Sequence, residues 1–119
     1  MSKKVLVVDD EKEIVDFMEK FLGRFNLVVV KATGGVAALD LYDKEIPAWV
    51  FLDICMPDKD GLTVLKEMKK RNSRCKVIML TARDDKKSQD NAKKYGAVDY
   101  ITKPIDLEQL RRKINKYVL

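Results

Sequence analysis

Short apolar runs recur along the chain: Val5-Leu6-Val7-Val8, Leu27-Val28-Val29-Val30, Trp49-Val50-Phe51-Leu52, Val77-Ile78-Met79-Leu80 and Tyr100-Ile101. Each is brief and mostly β-branched or aromatic, so they read as strands. Runs that stay apolar for four residues, rather than alternating with polar ones, mark strands covered on both faces, as in a parallel sheet. The segments between them have helical spacing. Ile14, Phe17, Met18, Phe21, Leu22 and Phe25 fall three or four apart, with Glu13, Asp16, Glu19 and Lys20 on the opposite side. Leu107, Leu110, Ile114, Tyr117 and Val118 repeat the pattern after Asp106, an N-cap candidate with Gln109 three residues on. Shorter helices fit around Val36–Tyr42 and Leu62–Met68. Segment Asp84–Lys94 differs, because Ala92 is its one apolar residue. A helix there buries little and is expected to be the least stable and most movable.

Strands alternating with helices of about ten residues predict right-handed βαβ units. The expected fold is therefore α/β: a doubly wound five-stranded parallel sheet with helices on both faces, forming one domain over residues 1–119. Ligands of such sheets sit beyond the carboxyl ends of the strands. At 119 residues there is room for one core, and 46% hydrophobic with 36% charged residues excludes a disordered or fibrous chain. No apolar run approaches the roughly 20 residues of a membrane span, and no signal peptide is visible at Met1-Ser2-Lys3-Lys4.

Two cysteines, Cys55 and Cys75, form no CxxC pair and are expected to be small buried hydrophobes in a reducing, cytoplasmic setting. Histidine is absent, which removes imidazole nucleophile schemes and imidazole metal sites and leaves carboxylates as the main candidates for chemistry. The net charge of +5 is uneven: residues 1–60 hold 8 basic and 12 acidic groups, residues 61–119 hold 16 and 7. The basic excess is spread over three predicted helices without interleaved aromatics. It reads as solvated helix faces, not as a nucleic-acid surface.

The strand ends carry the chemistry. Asp9 and Asp10 follow the first run, Asp53 the third and Thr81 the fourth; Lys103 follows the fifth after Thr102. In a parallel sheet these groups meet at one rim. Any one of them alone suits helix capping or a solvated surface. Together, crowded carboxylates repel and need a cation, and oxygen ligands suit Mg²⁺. Such a cluster favours phosphoryl transfer to a carboxylate, with Asp53 as the acceptor, Asp9 and Asp10 holding metal, and Thr81 and Lys103 contacting phosphoryl oxygens.

The set Val5-Leu6-Val7-Val8-Asp9-Asp10, Asp53-Ile54-Cys55-Met56-Pro57 leading to Asp60-Gly61, Thr81-Ala82, and Asp99-Tyr100-Ile101-Thr102-Lys103-Pro104 resembles the receiver domain of two-component response regulators. The resemblance spans essentially the whole chain, in order and spacing. It implies the flavodoxin-like (βα)5 fold with strand order 2-1-3-4-5. It also implies that Asp53 takes a phosphoryl group from a phosphohistidine on a sensor histidine kinase or a histidine phosphotransfer protein. By the same likeness, Asp10, Asp53 and the Cys55 carbonyl bind Mg²⁺, with Asp9 assisting. Thr81 and Lys103 hold the phosphoryl oxygens, the Lys103-Pro104 bond is cis, and Tyr100 is the aromatic that turns inward with Thr81. Cys55 and Arg83 are then placed to set the lifetime of the phosphoryl group. The surface of the fourth helix, fifth strand and fifth helix changes to meet a downstream protein. No nucleic acid contact, no membrane insertion and no enzyme activity beyond self-phosphorylation and self-dephosphorylation are expected.

Two rivals fit less well, and a third alternative concerns output and not chemistry. An aspartyl-phosphate phosphatase or phosphomutase commonly carries Asp-x-Asp after its first strand, where this chain has Asp9-Asp10-Glu11-Lys12. A flavin-phosphate binder needs a Ser/Thr/Gly-rich loop where these acids stand. A receiver cut from a longer regulator shares the chemistry and differs only in lacking its DNA-binding or enzymatic output module.

Overall fold

The computed structural model describes residues 3–82 and 84–119, so the expectation for Arg83 lies outside the described residues. Strands and helices alternate: β1 (Lys4–Val8), α1 (Lys12–Gly23), β2 (Val28–Ala32), α2 (Gly35–Glu45), β3 (Trp49–Asp53), α3 (Gly61–Arg71), β4 (Val77–Ala82), α4 (Lys86–Lys94), β5 (Asp99–Lys103) and α5 (Leu107–Lys113). The five strands form one parallel sheet in the order β2-β1-β3-β4-β5, as expected.

Period-two alternation along the strands divides the interior into two cores. Leu6, Val8, Val50, Leu52, Val77 and Met79 pack under α2, α3 and α4, against Leu39, Val64, Leu65, Met68 and Ala92. Val5, Val7, Phe51, Ile78, Leu80 and Ile101 pack under α1 and α5, against Met18, Leu22, Leu110 and Ile114. β3 is buried at every position, which is why its sequence shows no polar alternation before Asp53. Each fully buried aliphatic side chain contributes roughly 1.5–3 kcal/mol relative to exposure. The two cores, not helix propensity, hold the sandwich together.

Several boundaries differ from the sequence reading. The second strand begins at Val28 and runs to Ala32 because its pairing with β1 continues through Val8↔Ala32; Leu27 precedes it, still buried. α1 stops at Gly23, so Phe25 lies beyond the helix, and Phe17 is 38% exposed at the edge of the apolar stripe. The last helix widens after Lys113 into a π-helical turn over Ile114–Val118, which keeps Ile114 and Val118 buried. Asp106 is its cap, accepting from the Glu108 N–H at 2.9 Å. Within the poorly apolar segment, α4 buries Gln89 and Ala92 and nothing larger. Cys75 is buried, but Cys55 is exposed, because it leaves the sheet with the loop after β3 instead of entering a core. No helix among the described residues is long and apolar enough to cross a membrane.

Candidate functional site

In-register pairing brings the strand ends level: Val8 lies beside Leu52, Asp53 beside Leu80, Thr81 beside Thr102 and Ala82 beside Lys103. Asp9 follows β1, Asp53 ends β3 and Lys103 ends β5, so residues far apart in sequence share one rim. The Lys103-Pro104 peptide is cis.

Lys103 is the hub. Its Nζ lies 2.7 Å from Asp9 Oδ2, 3.1 Å from Asp53 Oδ1 and 3.7 Å from Glu11 Oε1. It donates a well-directed hydrogen bond to Asp53. It also forms an ion pair with Asp9 Oδ2, a fully buried oxygen that has no further partner among the described residues. Asp9 Oδ1 is satisfied by the Glu11 N–H at 2.9 Å. Asp9 and Asp53 are buried at 0% and 3% exposure, whereas Asp10 faces solvent.

Burial governs the acid–base behaviour. Loss of water, then the neighbouring Asp9 charge, pushes the Asp53 carboxyl up to about 7 against the opposing pull of Lys103. Asp9 is likewise raised by burial, with Lys103 and the Glu11 amide acting the other way. Burial works to lower Lys103, but the two carboxylates outweigh it and hold its ammonium above the ordinary lysine value. One cation is thus divided between two buried anions, which leaves the pocket short of positive charge.

That shortage fits a divalent metal. One carboxylate oxygen from each of Asp9, Asp10 and Asp53 lies within 4.8 Å of the others. The donors are hard carboxylate oxygens, two of the three residues are buried, and no imidazole exists in the chain. This donor set suits Mg²⁺ better than zinc.

The remaining candidates occupy the same rim with different partners. Thr81 is buried, and among the described residues its hydroxyl makes only a long 3.4 Å contact to the Ala82 carbonyl, which also accepts from Gln89 at 3.1 Å. Tyr100 is half-buried against the α2–α3–α4 core, its ring 5.3 Å from both the Lys93 and the Lys113 ammonium. Cys55 lines an open cleft of about 520 Å³ with Asp10, Met56, Pro57, Asp60, Leu62 and Ser88. Its thiol is pushed up, first by partial burial and then by the Asp53 and Asp85 charges, so it is a poor nucleophile.

Two supporting residues had no assigned role at the sequence level. Asp60 caps α3, its carboxylate accepting from the Leu62 N–H at 2.7 Å. Gly61 lies so close under Asp53 that a Cβ would overlap the Asp53 carbonyl oxygen and come within 2.7 Å of Ile54 Cα. An aspartate followed by glycine ahead of an apolar helical run is the local signal for both.

The chain matches the family described as the response regulator receiver domain over residues 5–115. It is 32% identical over 118 residues to sporulation initiation phosphotransferase F of Bacillus subtilis (strain 168), covering 99% of this chain and 95% of the relative. Among solved structures it is similar to the receiver domain of the Francisella response regulator 1452, at 32% identity and TM-score 0.87, covering 97% of this chain and 95% of the other. A CheY-like response regulator receiver domain protein from Methanospirillum hungatei JF-1 aligns at 28% identity and TM-score 0.91, covering 98% and 93%.

Proposed function

Because the chain belongs to the response regulator receiver family of two-component signalling, we propose that Asp53 is its phosphoacceptor, and that the phosphoryl group comes from a phosphohistidine on a sensor histidine kinase or histidine phosphotransfer protein. The observation that carries this reading is the buried Asp53 carboxylate at the end of β3, sharing the Lys103 ammonium with Asp9. An Asp53 oxygen attacks phosphorus as the P–N bond to the donor imidazole breaks, and the departing nitrogen takes up a proton. Asp10, Asp53 and the Cys55 carbonyl would hold Mg²⁺, with Asp9 assisting, and the bound ion would supply neutralisation of charge on the phosphoryl oxygens, where most of the catalytic effect of such transfers arises.

The chain's own groups do the rest. Lys103 follows one phosphoryl oxygen while keeping its contact with Asp9. Thr81, loosely held by the Ala82 carbonyl, turns its hydroxyl toward another. Its departure lets the β4–α4 loop move, and Tyr100 repacks into the space. The altered α4–β5–α5 face then meets a downstream protein, from a cytoplasmic location. The likeness to a protein named a phosphotransferase supports a chain that passes its phosphoryl group on instead of acting as a turnover enzyme. Self-phosphorylation by small donors and self-dephosphorylation are the only reactions it performs alone.

Incubation with Mg²⁺ and acetyl phosphate is expected to add one phosphoryl group by intact mass, and Asp53→Asn to abolish it. Full labelling of that variant would move the acceptor elsewhere.

A further inference from the structure

One carboxylate beside the acceptor loop is committed to a different task. α2 opens at Gly34-Gly35 with no capping side chain of its own and no acid in its first turn. Its leading N–H groups are nevertheless satisfied. Asp58, in the loop between β3 and α3, accepts from Gly35 N–H at 3.0 Å and from Val36 N–H at 3.1 Å. A third bond, 2.9 Å, comes from the Lys59 N–H. These backbone donors pull the Asp58 carboxyl below the usual range, as expected for an anion at a helix N-terminus.

The glycines belong to the same device. A Cβ on Gly34 would stand 3.0 Å from Asp58 Oδ2, and one on Gly35 would be 2.8 Å from Lys59 Cβ and 2.9 Å from Val64 Cγ2. Only a bare backbone lets α2 come this close to the loop. The loop is therefore tied at three points. Its start is held by Ile54 N–H donating to the Leu80 carbonyl at 3.2 Å, and its close by Gly61 N–H donating to the Ile54 carbonyl at 2.7 Å. Asp58 ties its far side to α2. Cys55, whose carbonyl is the metal ligand of the reading above, lies inside this closed segment.

We propose that Asp58 is a positioning residue: by capping α2 from a distant loop it fixes the β3–α3 loop and sets the Cys55 carbonyl against Asp10 and Asp53. This rests on the phosphoacceptor reading for its metal, but the tie itself is independent of it. It also sorts the acids of the rim. Asp58 serves α2, Asp60 serves α3, and Asp9, Asp10 and Asp53 are left for the cation.

The test compares Asp58→Ala with Asp106→Ala, which removes a cap of the same kind from α5, away from this loop. Both variants lose stability. Asp58→Ala is expected to weaken Mg²⁺ binding about three- to tenfold, the equivalent of one lost cap, in a titration followed by amide NMR shifts. In metal-free protein it also speeds exchange of the Gly61 amide along with those of Gly35 and Val36. Asp58→Asn, which keeps an acceptor oxygen, recovers much of both effects. Should Asp58→Ala not fold, Gly34→Ala, pressing a methyl group on Asp58 Oδ2, gives the same changes in weaker form. Wild-type Mg²⁺ affinity and wild-type Gly61 exchange in a variant that merely melts lower, like Asp106→Ala, would overturn the proposal. If the unmodified protein binds no Mg²⁺, the phosphoacceptor reading fails instead, and Gly61 exchange alone decides the tie.

Discussion

Asp99 shows how one side chain is tuned by competing effects. Burial pushes its carboxyl up, but the Tyr100 N–H at 2.8 Å, the Lys113 ammonium at 3.1 Å and the Tyr117 hydroxyl at 2.9 Å outweigh burial and leave it lowered. An acid whose folded value lies below its unfolded one stabilises the fold above the unfolded value, near 3.8, and loses that contribution as pH falls through the folded value. Asp99→Asn is therefore expected to cost about 1–2 kcal/mol at pH 7 in urea denaturation and to converge toward wild type as pH falls through the lowered folded value of the acid. A pH-independent cost would mean that packing, not charge, is what the residue supplies. At this scale the sequence was most informative about the carboxylate–lysine pocket. Asp9, Asp53 and Lys103 were legible because each stands at the end of an apolar run. Asp99 and Asp58 were not, since their partners are a π-helical turn and a helix start that no local pattern announces.

Among the helices, α4 is the one that buries no apolar side chain larger than alanine. Its buried surface comes from Gln89 and Ala92, and its start depends on Asp85, which accepts from the Ser88 N–H at 3.1 Å. Asp85→Ala should raise amide exchange across Lys86–Lys94 by about fivefold, the equivalent of roughly 1 kcal/mol, while α1 and α3 keep their wild-type protection. Uniform acceleration in all helices would show that α4 unfolds only with the whole domain. The scarcity of apolar residues between Asp84 and Lys94 made this small apolar burial readable in advance. Helix ends were harder to read. The extension of β2 through Ala32 depends on pairing with Val8, and the widening after Lys113 depends on keeping Ile114 and Val118 in the core. Both are set by tertiary contacts between distant residues.

For the whole molecule, the divided ammonium of Lys103 has a thermodynamic cost, because two buried carboxylates must fold around one cation. Mg²⁺ that binds the folded chain alone stabilises it by about 2.7 kcal/mol at a hundred times its Kd. Thermal unfolding should accordingly rise with Mg²⁺, and in EDTA the Asp53→Asn variant should melt above wild type. An Mg²⁺-independent midpoint would contradict the first, and a variant melting at or below wild type in EDTA the second. The architecture itself was legible because continuous apolar strands alternating with amphipathic helices admit few arrangements, whereas the strand order followed from family resemblance and not from spacing.

The same alternation that builds two cores sets them on opposite faces of each strand. Tyr100 leans on the α2–α3–α4 side and its neighbour Ile101 on the α1–α5 side. β5 thus touches both halves of the interior through neighbouring residues, so substitutions at Tyr100 and at Ile101 load opposite faces of the same strand.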